Sequence, residues 1–290
     1  MKVLVTGAAG NLGSATVRGL AAGGGFELRA CDQNADPSLP VRCEVVNLLD
    51  RESCYRLLEG MDAFVHFANH PNFLGGNAQR IFNENVAMNM NVFQAAAELG
   101  VRKVIFASSI QTIIGDRKYR DDGEQDPSTL QYLPLDGDAP ANPGNPYALS
   151  KVVSEQMLRY FAAFQSMSCV AIRFPGVVLE AWWDRSRKFR GIPTGRGGGW
   201  TPFLDEAWAY LHVDDAVSLV AACLRADLPG YRAYLPSART PRIDMPVPQI
   251  VERFFPKVAL RKPVGELTGL IDISRIERET AWAPTRDLSE

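Results

Sequence analysis

Histidine is scarce in this chain, with three in 290 residues, and none of the five cysteines (Cys31, Cys43, Cys54, Cys169, Cys223) stands two or four residues from another. A zinc knuckle or a redox dithiol needs such spacings, so neither is expected and the thiols read as reduced and mostly buried. His66 and His70 are four apart but span a strand end rather than one helix face, so His66 reads as a core residue and no metal site is expected. Long apolar runs are missing as well. No stretch approaches the roughly eighteen residues of a membrane helix. The opening Met1-Lys2-Val3-Leu4-Val5-Thr6-Gly7 carries only a short apolar run closed by glycine, unlike a secretory leader. Blocks of like charge are absent, and 31 basic against 33 acidic side chains leave a formal net charge of −2. Electrostatics therefore give no reason to expect nucleic acid or an anionic membrane as partner. The expectation is a cytoplasmic protein with a small-molecule partner.

What is present is ordinary globular composition, 46% hydrophobic and 22% charged, in a length that suits one large domain or two modest ones. Short runs rich in β-branched or aromatic residues at 3–5, 26–30, 43–46, 63–67, 104–107 and 170–174 predict strands. Between them, 12–22, 78–99 and 146–165 predict helices; in the second, Phe82, Val86, Met90, Phe93 and Ala97 make one apolar stripe. Strand and helix alternate, which predicts an α/β fold with a doubly wound parallel sheet. The pattern breaks at 115–145, rich in Asp, Glu and Pro, a stretch too long for a plain connection. It breaks again after residue 180, where four of the five tryptophans (Trp182, Trp183, Trp200, Trp208) gather beside a run of glycines. The organisation expected is a sheet domain over 1–175, rejoined by 210–235, and a small C-terminal substrate-binding lobe from 176–209 and 236–290.

Thr6-Gly7-Ala8-Ala9-Gly10-Asn11-Leu12-Gly13 joins the first strand to the first helix. Gly7 permits the sharp turn, Gly10 lets backbone approach a pyrophosphate, and Gly13 lets helix and strand pack closely. The helix N-terminus adds open N–H groups and a partial positive charge for phosphates. Glycines also serve turns for steric reasons alone; the position at strand one of a βαβ pattern favours dinucleotide binding. Asp32 follows the second strand, 19 residues after Gly13, where a carboxylate can accept from ribose hydroxyls and repel a 2′-phosphate. NAD is thus favoured, with NADP left open by the nearby Arg29 and Arg42.

Tyr147-Ala148-Leu149-Ser150-Lys151 places a phenol and an ammonium one helical turn apart. A free phenol titrates near 10, and a neighbouring cation favours its ionised form, so the pair can serve as a general acid and base. Ser108 and Ser109 end the fifth strand, where an open α/β sheet has its ligand crevice.

With these residues in place the chain resembles an extended short-chain dehydrogenase/reductase of the NAD-dependent epimerase/dehydratase family. The glycine turn, Asp32, Phe64-Val65-His66-Phe67-Ala68, Asn85-Val86 at a helix start and Phe106-Ala107-Ser108-Ser109 are similar to family motifs in order. So are Asn145-Pro146-Tyr147 with Lys151, Arg173-Phe174-Pro175-Gly176, Leu211-His212-Val213-Asp214-Asp215-Ala216 and Ala281-Trp282-Ala283-Pro284. The resemblance implies that Ser109 hydrogen-bonds the reacting oxygen, Tyr147 exchanges its proton, and Lys151 holds the nicotinamide ribose and lowers the phenol's pKa. It implies that Asn11 and Leu12 meet the pyrophosphate through backbone, Asp32 the adenosine ribose, and Asn47 with Leu48 the adenine. Phe67 and Ala68 would line the cleft, Phe174 and Pro175 flank the nicotinamide, and Asn85 joins the cofactor set. Asn47 stands where the family usually has aspartate. Counted from the strand the catalytic serine is Ser109; counted back from Gly115 its place falls on Ile110. A homodimer through the 78–99 and 146–165 helices is a further implication.

Dehydrating members carry an acidic pair after the catalytic hydroxyl, and Ile110-Gln111 fills that place here, so dehydration is not expected. Two reactions remain, epimerisation and net oxidation of a sugar or sugar-nucleotide alcohol. Nucleotide-sugar members have a long insertion between the arginine motif and His-Val-x-Asp, whereas Arg173 and His212 are only 39 positions apart. That shortening resembles uronate-dehydrogenase-like members, which oxidise a free sugar acid. Arg185, Arg187, Lys188, Arg190 and Arg196 could meet a carboxylate or a diphosphate, or form a solvated loop. Trp200 and Trp208 could offer a platform to a sugar face or belong to the lobe's core. From another class, a non-catalytic NAD-binding sensor or scaffold would need none of Ser109, Tyr147 and Lys151.

Overall fold

The computed structural model describes residues 1–71, 77–115, 118–119, 125–126, 130–188 and 204–289. The first half runs β1 (Lys2–Thr6), α1 (Asn11–Gly23), β2 (Glu27–Asp32), β3 (Cys43–Val45), α2 (Arg51–Leu58), β4 (Ala63–His66), α3 (Ala78–Glu98) and β5 (Lys103–Ser109). Two short strands, β6 (Lys118–Tyr119) and β7 (Gln125–Asp126), precede β8 (Tyr132–Leu133), α4 (Pro146–Phe164), β9 (Ser168–Phe174) and β10 (Gly176–Val178). Then follow α5 (Glu180–Lys188), β11 (Tyr210–His212), α6 (Val213–Arg225), β12 (Tyr231–Tyr234), α7 (Val247–Phe254), β13 (Ala259–Leu260) and α8 (Ser274–Thr280).

The near-continuous apolar runs of β1, β4, β5 and β9 are buried on both faces, as parallel strands covered by helices must be. They form a seven-stranded sheet in the order β12-β9-β5-β4-β1-β2-β3, with every neighbouring pair parallel. The chain winds outward from β1 to β3, then returns past it to β4 and continues to β12. The order therefore reverses between β1 and β4, and the crevice at the carboxyl ends there is where such sheets take ligands. α1 and α6 cover one face around Val17, Leu20, Leu219 and Val220; α2, α3 and α4 cover the other around Leu57, Phe93 and Phe161.

The expected boundaries shift in four places. Asn77 starts α3, its side chain accepting from Arg80 N–H at 3.0 Å, so Asn85 lies inside the helix rather than at its start. The eight-residue α2 was not anticipated from the sequence pattern. Within 210–235, α6 and β12 belong to the sheet layers, whereas β11 pairs with β10 in a separate two-stranded sheet. Residues 236–290 divide likewise: Ile250, Val251 and Phe255 pack with Trp208 and Leu204 in a lobe core, but Ile276 and Trp282 pack into the main one.

α4 is the element that carries the site. Asn145 caps it, accepting from Ala148 N–H at 2.9 Å, and Pro146 occupies the first turn, where its missing N–H costs nothing. Its buried face follows the helical repeat through Tyr147, Ser150, Lys151, Ser154, Glu155, Leu158 and Phe161, mostly polar residues that need partners. Glu155 meets Arg173 of β9 through two hydrogen bonds of 2.7 and 3.0 Å, with both side chains 4% exposed. The same carboxylate accepts from Ser108 of β5 at 2.6 Å and Tyr231 of β12 at 3.1 Å, and Arg173 also donates to the carbonyls of Gly137 and Ala139. Removing one partner of such a pair strands a buried charge. Arg173→Met is expected to cost about 3–5 kcal/mol, checked by denaturant unfolding; a loss below about 1 kcal/mol, the scale of a surface pair, would show that the pair does not anchor α4.

Candidate active site

At the reversal point a cavity of about 1240 Å³ opens over the glycine turn. Gly7 takes φ +69°, and a Cβ there would lie 2.6 Å from the Ala68 nitrogen; a Cβ on Gly13 would lie 2.0 Å from the Gly7 carbonyl oxygen. Both contacts are impossible, so these two positions need glycine for close approach of α1 and β4 to the turn. Gly10 precedes α1 and offers no side-chain cap. The first-turn amides of Asn11, Leu12 and Gly13 therefore lack helical partners and carry the positive end of the helix dipole toward the cavity they line.

Asp32 ends β2 beside this turn, its carboxylate accepting from the N–H groups of Ala9 and Asn34, each at 3.0 Å. Asn47 and Leu48 lie beyond it on the cavity wall, with Asn47 Oδ1 taking the Leu49 N–H at 3.0 Å. Arg29 donates instead to the carbonyls of Arg56 and Leu57, and neither it nor Arg42 is among the residues lining the cavity.

Phe67 and Ala68 continue the wall from β4, and Phe174 and Pro175 close it after β9. At that end Ser109, Tyr147 and Lys151 meet. Ser109 lines the cavity beside Tyr147, and its Oγ accepts from Gln111 N–H at 3.2 Å, while the neighbouring Ile110 side chain packs into the lobe core. Lys151 Nζ donates to the Ala107 carbonyl at 2.7 Å and to Asn69 Oδ1 at 2.6 Å, and lies 4.6 Å from the Phe106 ring centroid and 5.6 Å from that of Tyr147.

Burial reverses the expected direction at the phenol. It pushes Tyr147 up to about 12, against a downward pull from Ser109. It also presses Lys151 down to about 7, with Glu155 opposing. Both groups are therefore biased toward their neutral forms by desolvation.

Of the residues expected at the site, Asn85 alone does not line the cavity. It is fully buried behind it, accepting from His70 N–H at 2.7 Å and donating to Ser150 Oγ at 3.1 Å. Several lining residues were not anticipated: Asn69, His70, Gln111, Trp182 and Glu206. Trp182 is half exposed at the rim, whereas Trp208 is buried against Phe254 and Phe255, and Trp200, Arg190 and Arg196 lie outside the described residues. The tryptophan cluster was the available signal, but a helical position was needed to choose among its members.

A sequence model of the NAD dependent epimerase/dehydratase family matches residues 3–234. The chain belongs to that family. Its cofactor is NAD, and the close glycine contacts at 7 and 13, the open first turn of α1 and the carboxylate of Asp32 fit a dinucleotide. The chain is similar to uronate dehydrogenase of Pseudomonas putida, 31% identical over 179 residues, which is 59% of this chain and 59% of that protein. It is similar also to sterol demethylase protein B of Methylococcus capsulatus, 29% identical over 237 residues, 80% of this chain and 68% of that one. Among solved structures, a uronate dehydrogenase from Agrobacterium tumefaciens complexed with NAD matches with a TM-score of 0.67 at 22% identity, over 99% of this chain and 86% of that one, a likeness of fold. None of the described helices is long and apolar enough to cross a membrane.

His66 sits fully buried beneath this family site, between Thr6 Oγ1 at 2.6 Å and Asn89 Oδ1 at 2.7 Å. Asn89 Oδ1 can only accept, so Nε2 carries the proton and Nδ1 accepts from Thr6. Burial drives the imidazole from 6.5 down to about 3. The folded state therefore favours the neutral ring, a contribution present in full above pH 6.5 and lost as pH falls toward 3. Denaturant midpoints are expected to decline over that window, and the imidazole nitrogen shifts of His66 should report a neutral ring at about pH 5. A protonated ring in folded protein at that pH would contradict this account.

Proposed function

We propose that this chain transfers a hydride between NAD and a secondary alcohol or carbonyl of a sugar or sugar derivative, with Ser109, Tyr147 and Lys151 as its catalytic groups. The supporting observation is that these three side chains stand at one end of a cavity whose other end is the glycine cradle. In this reading Gly7, Gly10, Asn11, Leu12 and Gly13 hold the pyrophosphate, Asp32 the adenosine ribose, and Asn47 with Leu48 the adenine. Phe67 and Ala68 form the cleft wall, Phe174 and Pro175 flank the nicotinamide, and Asn85 supports the site from behind.

When bound, NAD supplies the hydride acceptor or donor and, oxidised, a positive charge. Ser109 orients the reacting oxygen through its hydroxyl. Tyr147 passes a proton to or from that oxygen, a contribution worth typically 10²–10⁴ in rate. Lys151 keeps a cation beside the phenol and offers an N–H to the cofactor's ribose. Low exposure of Tyr147 and Lys151, at 8% and 3%, keeps water from competing for the proton. The described residues of 1–175 with α6 and β12 serve the cofactor, and those of 176–209 with α7 serve the substrate. Met90 and Leu149, with Tyr160 and Phe164, stay exposed on the packed pair α3 and α4, which supports a homodimer through that face.

A second reading is net oxidation of a free sugar acid. The 39-position spacing between Arg173 and His212 and the likeness to uronate dehydrogenase favour it. A non-catalytic sensor would leave the meeting of Ser109, Tyr147 and Lys151 without a purpose.

The test is NADH absorbance on purified protein given NAD and a panel of free hexuronic acids, aldoses and UDP-sugars. Growth of NADH with a free sugar identifies a dehydrogenase; isomer conversion of a UDP-sugar without net NADH identifies an epimerase. Tyr147→Phe is expected to lower turnover by about 10²-fold or more and to leave NAD affinity nearly unchanged. Full activity in that variant would remove the assignment.

A further inference from the structure

Lys151 is buried where desolvation works against its ammonium form, and its environment poses a problem that Tyr147 and Ser109 do not solve. Two of its three N–H groups are taken, one by the Ala107 carbonyl and one by Asn69 Oδ1 at 2.6 Å. Backbone carbonyls are fixed acceptors, but an amide side chain can present either its oxygen or its nitrogen, and the wrong face would place two donors together.

A chain of hydrogen bonds decides the face. Ser154 donates its hydroxyl proton to the Ser150 carbonyl at 2.7 Å, so its oxygen must accept from Asn89 Nδ2 at 2.6 Å. Asn89 Oδ1 is then an acceptor, taking Nε2–H of His66 at 2.7 Å and Nδ2–H of Asn69 at 2.7 Å. Asn69 Nδ2 also donates to the Ala68 carbonyl. With both amide protons of Asn69 committed, its oxygen is left to accept, from Lys151 Nζ at 2.6 Å and from Asn89 Nδ2 at 3.3 Å. The sequence of donors runs from Lys151 through Asn69, Asn89 and Ser154 and ends on the Ser150 carbonyl, one residue before the lysine on the same helix.

We propose that Asn69 is the positioning residue of Lys151: its amide oxygen, oriented through Asn89 by Ser154 and His66, holds the buried ammonium in place beside Tyr147 and leaves one N–H open toward the cleft. The proposal rests on Lys151 serving as the cation of the site, but it concerns the lysine itself and is testable without substrate or cofactor. The charged and titratable groups facing Lys151 are Tyr147 and Glu155 on its own helix and His66 on β4, with Arg173 behind Glu155. Of these, Glu155 favours the ammonium and His66, neutral, neither helps nor opposes it. Asn69 supplies an acceptor directly, where burial works against the charge.

The experiment is competitive acetylation of lysines in the cofactor-free protein across pH, read by mass spectrometry, with surface lysines such as Lys257 as internal references. Wild-type Lys151 should show a midpoint near about 7. Asn69→Ala is expected to lower that midpoint by about one unit, since a hydrogen bond to a charged group favours the charged form by that order. Asn69→Asp, nearly isosteric, is expected to raise it by a similar amount, and it decides the matter should the alanine variant not fold. A Lys151 midpoint that stays at the wild-type value in a folded variant, with the reference lysines also unchanged, would overturn the proposal. Should the midpoint move as expected while Tyr147→Phe keeps full turnover, the positioning role stands and the catalytic reading of the site falls.

Discussion

The buried pair of Glu155 and Arg173 is the interaction on which the site's geometry depends. It joins α4 to β9 directly, to β5 through Ser108, to β12 through Tyr231, and to the segment around Gly137 and Ala139 through the arginine. Buried ion pairs seldom add much net stability, because desolvation offsets most of their attraction. Their value here is positional. Glu155 is one turn beyond Lys151 on α4, and Ser108 is one residue before Ser109 on β5. Locking the first of each pair together sets the second of each pair at the same end of the cleft.

Burial then determines the chemistry available there. Tyr147 and Lys151 are both displaced toward neutrality by loss of water, in opposite directions on the pH scale. A polar network of Asn69, Asn89, Ser150 and Ser154 lies beneath them, each member bonded, and that satisfaction lets so many polar side chains occupy the buried face of one helix. The neutral His66 extends the network to Thr6 at the head of the glycine turn. The glycine turn and Lys151 are thus mechanically continuous through side chains, as well as through the sheet.

The two halves of the cleft differ in kind. The half over β1, β2 and β4 is built from backbone and sheet ends, in the manner common to open α/β folds. The half over Trp182, Leu179 and Glu206 comes from the lobe, whose core around Trp208, Ile250 and Phe255 is separate from the main one. Because the two cores are separate, lobe side chains can change without disturbing the turn.

The sequence alone determined the alternation of the sheet, the glycine turn, Asp32 and the Tyr147–Lys151 pair. Each depends on contacts within a few residues, a strand's continuous burial or a helix's i, i+4 spacing, and such local rules are written in order along the chain. Tertiary structure decided the rest. Asn85 and Asn69 have the same side chain, yet only Asn69 reaches the lysine, because β4 and α4 are brought together by strands and helices remote in sequence. Trp182 and Trp208 stand 26 positions apart in one aromatic cluster, and only the path of α5 and the lobe makes one a rim residue and the other core. The direction of the Tyr147 shift was likewise set by how much water the packed sheet and helix exclude, a quantity that no spacing in the chain encodes.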